Sequence, residues 1–196
     1  MIVSEKIDFA TKKELVYKSL EDTTNTIRFI DTKVAALFVA IGVFITIVSN
    51  LSSKIYDIYK SYKDIPFHSF FIALIIIGII ISIIIAIYYG FKTLCAQNSP
   101  LNYVNLNGIS FKSLWHLVTG SDNKITKPLS EYITEVNDLS EDDYLEIITV
   151  ELMKTSGIRN EKIKSVNKSF LWFKISLSMF VIIVIYILCF YSFYKF

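Results

Sequence analysis

Four carboxylates stand close together at Glu141, Asp142, Asp143 and Glu146, a density that could serve acid–base chemistry. Ser140 precedes them, and Tyr144, Ile147, Ile148 and Leu152 follow as an apolar stripe at helical spacing. Carboxylates just inside a Ser cap face the positive end of a helix dipole. The cluster therefore reads as helix-start charge, and no catalytic residue is expected in it. His68 and His116 are the only histidines and have no cysteine at ligand spacing, so neither a metal site nor a cofactor is expected. His116 is the one side chain that points at all towards a membrane enzyme, and the chain is read as non-enzymatic. Cys95 and Cys189 provide no paired-cysteine framework.

Two further patterns concern packing and charge. Gly78, Ser82, Ala86 and Gly90 recur every four residues, a small-residue face that lets helices approach closely, within one chain or between copies in a homo-oligomer. Ala35, Gly42, Thr46 and Ser49 offer a comparable stripe. Asp31 and Lys33 stand where a polar segment meets an apolar one. There Lys33 can snorkel to headgroups and Asp31 can be solvated or paired. The alternative role for the two is a trigger contact between the N-terminal arm and a later polar region.

The elements that must position these residues are membrane helices. Uncharged runs extend over 34–51, 65–91 and 175–194, and a hydrocarbon core about 30 Å thick needs roughly 20 helical residues. Phe70–Ile87 alone holds eleven Ile, one Leu and two Phe, together contributing roughly −4 to −8 kcal/mol towards insertion. The expected fold is an all-α membrane protein: three transmembrane helices with long cytosolic helical extensions. Residues 1–33 form an amphipathic arm, 52–64 a short external loop and 92–174 a cytosolic helical region. No cleavable signal is visible, because 33 polar-rich residues precede the first run.

With three spans, the arm and the 92–174 region share one side and carry 16 of the 20 Lys and Arg. That excess places both in the cytoplasm. The net charge of only +2 gives no whole-protein argument for nucleic acid. The spans contain no Asp, Glu, Lys or Arg, which argues against a coupled transporter.

Local patterns fill in the polar regions. Phe9, Val16, Leu20, Ile27 and Ile30 recur at three-, four- and seven-residue spacings without Gly or Pro, predicting a helix continuous with the first span. Residues 95–110 read as loop, with a brief helix at 111–118 and helix starts at Pro128 and Ser140. The helix from Ser140 is expected to run into the third span.

The order of motifs resembles the transmembrane effectors of Pycsar antiphage systems. Asp31-Thr32-Lys33 with Ala35 and Ala36 opens the first span. Pro100, Asn107-Gly108-Ile109 and Leu139-Ser140-Glu141-Asp142-Asp143 follow in sequence before the last span. The chain departs from the pattern at Val34, where the family tends to carry Ala, and this bears on close packing there.

The resemblance implies an effector in the inner membrane that answers a cyclic pyrimidine nucleotide, cCMP or cUMP. A partner nucleotide cyclase makes it, and the effector then impairs membrane integrity to cause abortive infection. A cyclic nucleotide needs cations for its phosphate and an aromatic face for its base. Arg28, Lys92, Tyr103, Trp115, His116 and Arg159 are the candidates on the cytosolic side. No Gly-rich phosphate loop accompanies them. The competing reading is a membrane scaffold that recruits a cytosolic partner.

Overall fold

The computed structural model describes residues 7–61, 66–95, 104 and 127–194. The described residues form four helices: α1 (Phe9–Ser61), α2 (Pro66–Leu94), α3 (Leu129–Asn137) and α4 (Glu141–Tyr194). No strand occurs among the described residues, so the fold is all-α. The brief helix expected at 111–118 lies outside the described residues, as does nearly all of the expected loop at 95–110.

α1 and α4 have 53 and 54 residues, about 80 Å each at roughly 1.5 Å per residue. Arm and span are thus one helix in α1, and polar segment and span are one helix in α4. Gly157 does not interrupt α4, since a single helical Gly costs only about 1 kcal/mol. Residues 52–61, expected in a loop, continue α1 instead. They contain neither Gly nor Pro, so nothing in them breaks a helix. α2 opens on Pro66, a position where the missing N–H has no helical partner to lose.

The chain divides into two compact units, one drawn from residues 1–27 and 97–160, the other from 28–96 and 161–196. In the second, α1, α2 and α4 pack along stripes of alternating three- and four-residue spacing. On α1 the buried residues are Ile30, Val34, Leu37, Ile41 and Phe44, and on α2 they are Ile72, Ile75, Ile79, Ser82 and Ala86. α4 contributes Lys162, Val166, Ser169, Phe173, Ser176 and Ile183. This 3.5-residue repeat is the seam of left-handed helix packing. Phe44 meets the edges of Phe173 and Phe180 at 6.0 and 5.3 Å. Val34 is fully buried beside Ile30 and Val166, so the larger residue fills that contact.

The outward faces are as apolar as the seam. Ile77, Ile80, Ile81 and Ile84 on α2, and Val181, Ile182 and Ile185 on α4, are exposed. In water so extended a patch would drive aggregation; against acyl chains it is the expected surface. Three helices are long and apolar enough to cross a bilayer, and the chain is a multi-pass membrane protein.

The first unit is polar and smaller. The Ser140 hydroxyl accepts the backbone N–H of Asp143 at 3.1 Å, and the Asp143 carboxylate accepts the Ser140 N–H at 3.3 Å. This reciprocal cap starts α4 and engages Asp143, one of the four acidic residues of the cluster. Ile147, Ile148, Val150 and Thr23 are buried. Lys154 is also buried and ion-paired with Glu151, one turn earlier. The Tyr17 and Tyr144 hydroxyls hydrogen-bond to each other, with the Lys13 ammonium 5.3 Å from the Tyr144 ring centre.

Candidate functional site

Asp31 lies at the point where α1 passes from charged residues into its apolar run. Its partner stands 131 positions away in the chain: the Lys162 ammonium donates to Asp31 Oδ1 at 2.6 Å. Helical periodicity explains the meeting. Ile30 and Val34 belong to the α1 seam, so Asp31 flanks it. Lys162 precedes Val166, Ser169 and Phe173 at four- and three-residue steps, so it occupies the α4 seam itself.

The two partners have unequal surroundings. The Lys162 side chain is 10% exposed, that of Asp31 38%. Ile30, Val34 and Val166, with Ile163 against them, make up the neighbouring apolar cluster. An ammonium in such a place depends on its counter-charge, while the carboxylate can still reach water. The pair is a charge clamp between α1 and α4 whose carboxylate side is open to competition.

Lys33 takes no part in the clamp. Its ammonium sits 4.3 Å from the ring centre of Phe29, on the exposed side of α1. The two residues of the Asp-x-Lys motif thus do separate jobs: one holds α4, the other covers an exposed aromatic.

The candidate ligand residues are scattered. Arg28 is exposed on α1, and Lys92 is exposed in the last turn of α2. Arg159 belongs to the other unit, where its guanidinium donates to Asn160 Oδ1 at 3.3 and 3.2 Å. Tyr103, Trp115 and His116 lie outside the described residues.

The small-residue face of α2 turns inward. Ser82, Ala86 and Gly90 are buried, and the Ser169 hydroxyl donates to the Ala86 carbonyl at 2.5 Å. A Cβ added at Gly90 would stand 2.7 Å from Phe38 Cζ, and one at Gly78 would stand 3.0 Å from Met179 Sδ. On α1, by contrast, Ala35, Gly42, Thr46 and Ser49 are all exposed, and a Cβ at Gly42 would meet nothing within 4 Å.

Sequence reasoning named Asp31 but not Lys162. The signal was present: a lysine in step with an apolar stripe requires an acid opposite it. Asp31 is the only acid between Asp22 and the first span. Among the described residues no group of three or more His, Cys, Asp or Glu is arranged to hold a metal ion.

A family model described as PycTM, Pycsar effector protein domain, matches residues 15–189. No curated protein and no solved structure matches the chain.

Proposed function

Because the chain belongs to the Pycsar effector family and is built to cross a bilayer three times, we propose that it is the membrane effector of a two-gene antiphage system. Family membership supports the antiphage effector role and a cyclic-nucleotide signalling context. The finer reading is that a cyclic pyrimidine nucleotide, cCMP or cUMP, made by a partner cyclase binds the polar helical region. Binding shifts the packing of α1 against α4, and the assembled spans then impair the inner membrane, ending the infection with the cell. The protein performs no chemistry of its own in this reading, and homo-oligomers assemble the lesion.

The observation that carries the proposal is the Asp31–Lys162 clamp. It stands at the head of the seam, where two helices longer than any bilayer needs lead into their apolar runs. A switch requires an element with two arrangements and a ligand with different affinity for each. A half-buried ion pair supplies a contact that holds in one arrangement and breaks in the other. The excess of Lys and Arg flanking one side of the spans supports a cytoplasmic N-terminus.

The test is co-expression of this chain with a pyrimidine nucleotide cyclase. Growth arrest and entry of an impermeant dye are expected only when both are present. Dye exclusion that persists with the nucleotide supplied would sink the reading. A protein partner held by the full-length chain without nucleotide would favour a scaffold instead.

A further inference from the structure

A second group of charges lies in the same unit, apart from the clamp. Tyr89 and Lys92 stand one turn apart near the end of α2, and Lys164 and Lys168 one turn apart on α4. The Lys168 ammonium sits 5.2 Å from the Tyr89 ring centre, and the Ser169–Ala86 hydrogen bond holds the two helices together at the adjoining turn. Glu161 accepts from Lys164 at 2.7 Å. The Lys164 hydrogen bond, together with the charges of Lys164, Lys92 and Lys168, holds the Glu161 carboxyl below its usual range. Glu161 lies well before the uncharged run that begins at residue 175. Glu161 thus binds Lys164, and Lys92 and Lys168 add their charge to the same carboxylate, so three lysines face one acid within the group.

The surroundings are apolar and uncovered. Tyr88 on α2 and Leu171 on α4 are exposed, about one turn from Lys92 and Lys168 on the side of the apolar runs. A small inorganic anion gains nothing from such neighbours. A lipid needs both: cations for its headgroup and an apolar surface for the start of its acyl chains.

We propose that Lys92, Lys164 and Lys168, braced by Tyr89, form a binding site for the phosphodiester of an anionic phospholipid at the junction of α2 and α4. The headgroup phosphate accepts from the lysines, Lys168 is held in position over the Tyr89 ring, and the acyl chains run along Tyr88 and Leu171. The site rests on the membrane-spanning fold and is independent of nucleotide gating.

The experiment uses the full-length chain reconstituted in vesicles of phosphatidylcholine and phosphatidylglycerol, then released into mild detergent for native mass spectrometry. The wild type should retain phosphatidylglycerol over phosphatidylcholine by about fivefold or more, the scale set by one cation beside an anionic surface. Joint replacement K92Q, K164Q and K168Q should bring the ratio near one with helix content unchanged by circular dichroism. Glu161→Gln removes the competing carboxylate and should raise the ratio above wild type. Equal retention of both lipids by the wild type, or an unchanged ratio in both variants, overturns the proposal. Cyclic CMP serves as the soluble phosphodiester. If it strips phosphatidylglycerol from the wild type, the site belongs to a soluble ligand and the lipid assignment fails.

Discussion

The Lys162 ammonium and the Asp31 carboxylate lie 2.6 Å apart, and only the carboxylate has substantial access to solvent. Removing either partner breaks the same bond with different consequences. Asp31→Ala strands an ammonium beside Ile30, Val34 and Val166, whereas Lys162→Met leaves a carboxylate that can hydrate and puts an apolar chain on an apolar seam. Asp31→Ala should therefore destabilise by about 2 kcal/mol, and Lys162→Met by about 1 kcal/mol or less. Thermal unfolding of the two variants in detergent, followed by circular dichroism, measures the difference. Equal losses would show that the burial asymmetry has no energetic weight.

The same pair offers a functional prediction. If the clamp holds the resting arrangement, Lys162→Met should lower the nucleotide needed for dye entry, with stability little changed. Dose–response of dye uptake at a series of cyclase expression levels checks this. A rightward shift would assign the pair to the active arrangement instead.

Gly90 and Gly42 contrast two kinds of helical glycine. A methyl group at position 90 meets the Phe38 ring, which is itself packed against Phe91 with centroids 5.1 Å apart. Gly90→Ala should cost about 1–3 kcal/mol through overpacking. At position 42 nothing stands in the way, so Gly42→Ala should be neutral or stabilising by up to about 1 kcal/mol within one chain. Gly42→Ile then tests the exposed face. Cross-linking in membranes should show fewer oligomers if a second copy packs there, with monomer stability unchanged.

Orientation is open to a chemical label. Cys95 is an exposed thiol just beyond α2. With a cytoplasmic N-terminus, an impermeant maleimide should modify it in inverted membrane vesicles and not in intact spheroplasts. The opposite pattern would reverse the topology.

The Ser140 cap can be examined alone. Ser140→Ala removes the acceptor of the Asp143 N–H and should cost about 1 kcal/mol. The loss should appear as faster hydrogen exchange in the first turn of α4 and not along its span.

Much of this architecture could be read directly because its driving force is local in sequence. The Ile-rich segment at 70–87 declares a membrane helix by itself, and Ser140 with Asp143 declares a helix start. The periodicity of Val16, Leu20, Ile27 and Ile30 gave the inward face of α1, and Thr23 completes it in the structure. Lys162 was harder, because it looks like one of many basic residues flanking a span until its place on the seam is counted. Tyr17 with Tyr144 was harder still. Their hydrogen bond joins positions 127 apart, and no local pattern carries information at that range. Residue type alone nominated Arg28, Lys92 and Arg159, but spacing offered nothing to bring them together.

A seam that repeats every seven residues is nearly blind to its own alignment. Sliding α4 along α1 by a whole repeat would again set branched and aromatic side chains against one another, with little change in apolar contact. It would also carry the Lys162 ammonium about 10 Å from Asp31, leaving it without its counter-charge. The lone cation on an otherwise uncharged seam therefore acts as an index mark, singling out one docking of the two helices from the set that apolar packing would tolerate.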